Sequence, residues 1–521
     1  MIGLKSFLAR GIEWLERLFD VAFGQRHNPL HHLGALGFLF FWVAFVSGVY
    51  LYVGLDTSVA KAFASVETMT HSVWFFGGVM RSLHRYGSDA LVAMLIVHLI
   101  REFAHDRLRG ARWFTWVTGI PLIWLIYIAG ISGYWLVWDQ LAQYIAIATT
   151  EWLDWLPIFG EPIARNFLAP SSLDDRFFTL MIFIHIAVPI MMVFVLWIHL
   201  QRVARPEYLP SRTLSIGTMV MLIGLSLVFP ATSHAPADLL TVPRTLKLDW
   251  WYLVIYPVIE RFGPGPAWYG LVGFSFLLTF LPWLPPLKRA KAAVVDLAHC
   301  NGCRRCVADC PYNAISMVPR TDGRPFLEEA LVDPALCVAC GICAGACPTS
   351  IAFRTTETLP TGIDLPDASI ADLRRRIRQA SAKTKGGPRV MVFGCTNGLE
   401  VERLGGDNVA PVVVPCIAAL PPSFIDYALS RDLAEGVFVV GCAETGCANR
   451  FGVDWMSDRL GGRRDPRLRA RVPRERLATC WARRVERGRA AEELAAFAAR
   501  LGALAPAVQP EPPKRVPETV P

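Results

Sequence analysis

Of the chain's 13 cysteines, twelve fall into three sets of four, all beyond residue 299. Two sets repeat one pattern, Cys300-x2-Cys303-x2-Cys306-x3-Cys310-Pro311 and Cys337-x2-Cys340-x2-Cys343-x3-Cys347-Pro348; the third comprises Cys395, Cys416, Cys442 and Cys447. Thiolates so spaced are soft metal-cluster ligands rather than a disulfide framework, and they point to a reducing compartment. Cys480 stands alone and reads as a buried core thiol. Among 11 histidines, His84 and His98 are fourteen residues apart, and so are His185 and His199. On a helix that is close to four turns, about 21 Å of rise, so each pair marks one helix face near both ends. If the two helices are parallel, His84 meets His185 and His98 meets His199. Iron held by two imidazoles has no free axial position and suits electron transfer.

The elements that must carry these histidines follow from composition. The chain has 521 residues, is 53% hydrophobic and is only 18% charged, which excludes an ordinary soluble globule and a disordered chain. Six stretches read as helices able to span about 30 Å of hydrocarbon. They are Leu33 to Val53, Arg81 to Ile100, Trp113 to Trp138, Phe177 to Leu200, Thr213 to Pro230 and Ala267 to Leu287. The second holds Arg85 and Asp89 and rests on its histidines, since ionisable groups inside a bilayer are costly and usually functional. Ahead of the first, Leu4, Leu8, Ile12, Leu15, Phe19 and Ala22 recur at helical spacing, an amphipathic surface helix rather than a signal peptide. The net charge of +8 arises from Lys and Arg flanking the apolar runs, a membrane pattern and not a nucleic-acid one. Fourteen of them fall on one side and seven on the other, which puts both termini and the cysteine-rich part on the cytoplasmic side of a bacterial inner membrane.

Residues 1–287 resemble cytochrome b of the quinol-oxidising complexes, particularly the split type of photosynthetic membranes. The likeness is carried by Ala62-Phe-Ala-Ser-Val-Glu67, Arg81-Ser-Leu-His-Arg85, His98-Leu-Ile-Arg101, Arg112-Trp-Phe-Thr-Trp-Val-Thr-Gly119 and Gly133-Tyr-Trp-Leu-Val-Trp-Asp-Gln140. It implies two b haems, with Gly34, Gly48 and Gly133 allowing close approach of a porphyrin. It also implies that Arg81, Arg101 and Arg112 lie near haem propionates or the cytoplasmic quinone site, with positive-inside anchoring as their plainer reading. His32 stands where the split type attaches a further haem through cysteine, so that haem is not expected. The family's Pro-Glu-Trp-Tyr quinol motif appears as Asp249-Trp250-Trp251-Tyr252. Asp249 and Tyr252 are the residues on which outer-site proton chemistry would fall, the alternative being an inactive outer site.

Residues 288–360 resemble a bacterial ferredoxin with two [4Fe-4S] clusters, in which the fourth ligand crosses over. Cys300, Cys303 and Cys306 would share one cluster with Cys347, and Cys337, Cys340 and Cys343 the other with Cys310. Zinc does not use this spacing. Beyond a linker near Lys383 to Pro388, strands Val390 to Cys395, Val412 to Cys416 and Gly436 to Cys442 end in cysteine around a helix Ser423 to Leu433, the pattern of a small parallel α/β layer. This part, 385–490, resembles the delta iron–sulfur subunit of methyl-viologen-reducing hydrogenases on Gly441-Cys442-x4-Cys447, with Cys395 and Cys416 preceding. The resemblance implies one [2Fe-2S] cluster and docking to a flavoprotein, structural thiols or zinc being the plainer reading. The extension 491–521 is expected to be partly disordered, its proline-rich end from Val508 wholly so.

The fold expected is therefore multidomain: an all-α transmembrane bundle, an α+β ferredoxin-like domain and a small α/β domain. The expected function is that of a membrane subunit of a quinone oxidoreductase, passing electrons between a cytosolic flavoprotein or ferredoxin and the quinone pool. The flavoprotein could oxidise NAD(P)H, but this chain has no Gly-x-Gly-x-x-Gly loop to bind it. The alternative is a bifurcating quinol oxidase acting through Asp249 with a periplasmic acceptor. The cytochrome resemblance also implies a homodimer.

Overall fold

The computed structural model describes residues 2–504 except 25–26, 110–111, 159, 164–165, 167, 169–171, 202–207, 244, 285–289 and 444–446. The tail from Val508, expected to be disordered, lies outside the described residues. The chain forms two compact units, Met1–Arg289 and Ala290–Pro521.

The first unit is helical: α1 (Ile2–Phe23), α2 (Leu33–Gly54), α3 (Ala62–Glu67), α4 (Val79–Ala104), α5 (Trp113–Trp135), α6 (Gln140–Asp154), α7 (Asp175–Leu200), α8 (Arg212–Val228), α9 (Ile255–Phe262) and α10 (Pro264–Phe280). Helices occupy all six expected stretches. Leu33–Gly54, Trp113–Trp135 and Phe178–Leu200 are long and apolar enough to cross a membrane. Helix α4 is longer but carries Arg81, Arg85 and Asp89, while α8 and α10 have 17 residues each, about 25 Å. Helix α7 turns Phe183, Ile190, Phe194 and Trp197 outward at helical spacing, a stripe that only lipid or a protein neighbour can cover. Inside, α2 packs on α4 and α5 on α7.

Helix α1 is amphipathic with its polar side inward. Leu4, Phe7, Trp14, Leu18 and Val21 are exposed, whereas Glu13 and Glu16 are buried. Arg101 Nε donates to Glu16 Oε1 at 2.9 Å, and Asn28 Nδ2 donates to Glu16 O at 2.8 Å. Polar groups inside and apolar groups outside suit a helix lying against lipid.

The second unit opens with two antiparallel pairs, β1 (Val294–Val295) with β4 (Ile363–Asp364) and β2 (Ile315–Pro319) with β3 (Glu328–Val332). The short helices α11 (Arg305–Asp309) and α12 (Ile342–Ala346) pack together beside them. Then come α13 (Ile370–Lys383), β5 (Val390–Cys395), β6 (Val409–Val414), α14 (Pro422–Ser430), β7 (Gly436–Gly441), α15 (Gly452–Leu460), β8 (Leu477–Trp481) and α16 (Arg487–Ala503). The four strands are parallel in the order β6-β5-β7-β8. Central strands β5 and β7 are buried throughout because both faces are covered. Leu373, Ile377 and Phe424 pack on the side of Met391 and Phe393, and Leu494 and Phe497 on the side of Val390 and Val392. Residue 490, where the sequence reading ended the domain, falls inside α16, whose Ala490, Leu494, Phe497 and Leu501 belong to this core.

Candidate functional site

Helices α4 and α7 bring His84 and His185 together, with ring centroids 6.1 Å apart. Two imidazole nitrogens at about 2 Å from a shared metal ion fit such a separation. His84 Nδ1 lies 2.7 Å from Ala44 O and His185 Nδ1 lies 2.9 Å from Ala129 O. A ring that donates from Nδ1 to a carbonyl keeps its Nε2 lone pair for a metal. Ser47 Oγ and Ser132 Oγ stand 3.4 and 3.2 Å from the same two Nδ1 atoms. Nearer the other end, His199 Nδ1 lies 3.1 Å from Thr118 Oγ1, and His199 is close enough to His98 for their charges to interact.

Two of the glycines stand directly against the histidine rings. A Cβ on Gly48 would lie 2.8 Å from His84 Cε1, and one on Gly133 would lie 2.9 Å from His185 Cε1. Each glycine thus makes room for the imidazole itself. On Gly34 a Cβ would be 3.9 Å from His98 Cε1, an ordinary contact. The serines and the carbonyl acceptors were missed in the sequence, although Ala44-x-x-Ser47-Gly48 repeats as Ala129-x-x-Ser132-Gly133.

Arg81 donates to Thr70 Oγ1 at 2.5 Å and to Ser233 Oγ at 2.8 Å, and pairs with Glu67. Arg101 pairs with Glu16, and Arg112 precedes α5 as its N-cap. Asp249 is heavily engaged. Its Oδ1 accepts the backbone N–H of Trp251 and of Tyr252, each at 2.7 Å. Its Oδ2 accepts Arg85 Nη2 at 3.1 Å and the Tyr134 hydroxyl. Tyr252 is 2% exposed, and its hydroxyl donates to Ser88 O at 3.0 Å.

In the second unit, Cys300, Cys303, Cys306 and Cys347 line one pocket with Met317 and Ile363. Cys340 and Cys343 are close enough to Cys310 and Cys337 for their thiolate charges to interact. Both loops have positive φ on either side of their second cysteine: Gly302 at 64° and Arg304 at 61° about Cys303, and Ala339 at 54° and Gly341 at 75° about Cys340. Left-handed residues of this kind turn successive N–H groups toward one concavity, which suits an anionic sulfur cluster.

The third set gathers at the carboxyl ends of the strands. Cys395 Sγ and Cys442 Sγ are 3.4 Å apart. A Cβ on Gly452 would lie 2.5 Å from Cys416 Sγ and 3.3 Å from Cys447 Sγ. Cys416 packs with Ile342, Ala418 and Trp455, a cluster on which Cys340 of the second ferredoxin motif also packs. A Cβ on Gly345 would lie 2.1 Å from Ala418 O, so only glycine lets α12 sit this close to the turn after Cys416. Among the described residues no three His, Cys, Asp or Glu side chains converge at the spacing of a single metal ion.

The cysteine sulfurs resist ionisation by themselves. Burial, reinforced by neighbouring thiolates, pushes Cys306 and Cys340 up to about 12, and drives Cys416 well above the ordinary thiol range. The hydrogen bond with Cys395, followed by burial, pushes Cys442 up to about 12. Crowded buried sulfurs of this kind are a donor set that cationic iron would stabilise as thiolates.

A helical unit with facing histidines, followed by cysteine loops and a parallel sheet edged with cysteine, defines a membrane electron-transfer protein. The family described as Cytochrome b/b6/petB matches residues 20–205. A 4Fe-4S dicluster domain matches 299–351, and the delta subunit of methyl-viologen-reducing hydrogenase matches 396–505. Cytochrome b6 of Porphyra purpurea is 31% identical over 161 residues, 30% of this chain and 74% of that protein. The solved structure titled "Hyperthermophilic respiratory Complex III" is similar at 19% identity and a TM-score of 0.41, covering 53% of this chain and 84% of that one. The chain belongs to the cytochrome b family, extended by a ferredoxin-type domain and a hydrogenase delta-subunit domain, and is an integral membrane protein.

Proposed function

We infer that the chain is the membrane subunit of a quinone oxidoreductase, with six spans and its cysteine domains in the cytoplasm. It would relay electrons between a cytosolic flavoprotein and the quinone pool. Haems and iron–sulfur clusters supply one-electron carriers, and the chain's residues hold, orient and insulate them. His84 with His185 and His98 with His199 would hold two haems. Cys300, Cys303, Cys306 and Cys347 would hold one [4Fe-4S] cluster, and Cys337, Cys340, Cys343 and Cys310 the other. Cys395, Cys416, Cys442 and Cys447 would hold a [2Fe-2S] cluster. The observation that carries this reading is that Cys340 packs on the cluster that holds Cys416, with Cys306 near Cys343, which makes the three cysteine sets neighbours along one route.

The bonding of Asp249 favours this linear route over bifurcation. A carboxylate already accepting from two backbone amides, an arginine and a tyrosine is a poor acceptor for a quinol proton. The test is a redox titration of the detergent-purified complex, with inhibitors specific to either quinone face. Reduction of the haems from a flavin donor, with turnover blocked only from the cytoplasmic face, is the expected result. Block from the outer face, together with loss of turnover in Asp249→Asn, would replace this reading with the bifurcating one.

A further inference from the structure

Arg459 has no role in the cysteine patterns, yet it is the largest fully buried side chain of the described residues. It lies on α15, and its guanidinium bridges two cysteine sets. Nη1 donates to Ala418 O at 2.6 Å, two residues beyond Cys416. Nη2 donates at 2.5 Å to Oδ2 of Asp309, the residue before Cys310. Asp309 is itself buried, and its Oδ1 also accepts Arg464 Nε at 2.8 Å and Nη2 at 2.5 Å. Among the described residues Arg459 Nε finds no acceptor.

Two guanidinium groups therefore meet one carboxylate: Arg464 is partly exposed to solvent, and Arg459 is wholly buried with its counter-charge on one side only. Such a buried charge is costly unless something nearby offsets it. The carboxylate stands on the Cys310 side and offsets the charge there. Toward Cys416 only a neutral carbonyl intervenes. A thiolate-ligated cluster becomes more negative on reduction, so a fixed cation beside it favours the reduced form.

We propose that Arg459 is a tuning residue whose fixed charge raises the reduction potential of the cluster around Cys416 relative to that of the cluster held by Cys310, Cys337, Cys340 and Cys343. One electron moves between them: one cluster is oxidised as the other is reduced, with no proton transferred and no bond broken. Its effect is to make the Cys416 side the resting place of that electron. The proposal rests on the cluster assignment above, and the following experiment separates the two.

The full chain in detergent is titrated against potential with electron paramagnetic resonance as the readout. Arg459→Gln should lower the midpoint of the [2Fe-2S] signal by about 59 mV or more, a tenfold change in its reduced-to-oxidised ratio, with the haem midpoints unmoved. Arg459→Lys, which keeps the charge, should recover most of the shift. Asp309→Asn, which keeps Arg459 but removes its counter-charge, should raise the same midpoint. A bridge that is merely structural would not give opposite signs. An unmoved midpoint in Arg459→Gln with its signal intact, or a shift of one sign in both variants, overturns the proposal alone. Should Arg459→Gln fail to assemble, the sign for Asp309→Asn decides: raised supports it, and lowered or unmoved overturns it. A parent protein with no [2Fe-2S] signal overturns the cluster assignment and the proposal together.

Discussion

Replacing Gly48 by alanine tests how the first histidine pair is held. The new Cβ would fall 2.8 Å from His84 Cε1 and 3.1 Å from Nδ1. Ordinary carbon contacts begin at about 3.5 Å, so the ring must retreat by about 0.7 Å. Retreat gives up the 2.7 Å bond to Ala44 O, a net loss of about 1 kcal/mol. Overpacking of a filled site adds about 1–3 kcal/mol. Together these give about 2–4 kcal/mol, roughly 30-fold to 1,000-fold in affinity for a group bound through that imidazole. Gly34→Ala is the matched control, because its Cβ would sit 3.9 Å from His98 Cε1. Haem per polypeptide, measured as the pyridine haemochrome of washed, purified protein, should fall in Gly48→Ala and stay at the parent value in Gly34→Ala. Full haem content in Gly48→Ala, or equal loss in both variants, would refute the reasoning from these distances.

Cys347→Ser should remove the [4Fe-4S] signal of the Cys300 set and spare its neighbour, as counted by iron content and paramagnetic resonance; loss of the Cys337 set instead would reverse the crossover. Arg374 is buried and donates to the carbonyls of Arg354, Thr356 and Glu357 at 2.6, 2.6 and 3.2 Å. Arg374→Met leaves them unpaired, at a cost of about 3 kcal/mol or more, and should open residues 352–361 to protease; unchanged cleavage would count against this. Cys306 and Cys340 are raised to about 12 by burial first, and Cys442 by its bond to Cys395, whereas unfolded thiols ionise near about 8.5. Between those values the folded state holds more protons than the unfolded one, so cluster-free protein should lose stability as pH rises above about 8.5. Denaturant midpoints at pH 7 and 9.5 check this, and a midpoint that rises with pH would contradict it.

The long helices of the membrane unit were legible because apolar runs of helical length have few other uses, whereas Gln140–Asp154, with polar residues interspersed, was not. Ile255–Phe262 was not either, being only eight residues long and following an irregular stretch. Strand Leu477–Trp481 escaped notice because Arg474, Glu475 and Arg476 precede it and Arg483 and Arg484 follow, which makes a charged neighbourhood look like loop. The expected single cysteine at 480 proved to sit on this strand, 2% exposed. Cysteine spacing carried the two ferredoxin motifs, since their ligands are local in sequence. The meeting of Cys340 with Cys416 depends on α12 resting against a turn more than seventy residues away, and no local pattern records that. Arg459 looked like one arginine among many, because burial of a charge is decided by tertiary packing.

The repeated Ala-x-x-Ser-Gly of α2 and α5 has one more consequence. His84 and His185 are gripped alike, each by a carbonyl, a serine hydroxyl and a glycine notch on the helix facing it. As haem ligands neither imidazole would be the weaker, since both rings are held by the same three contacts. Two rings held alike from opposite sides would let charge come and go at a haem between them with little movement of the surrounding atoms, so that little of the driving force of each transfer would be dissipated in rearranging the protein.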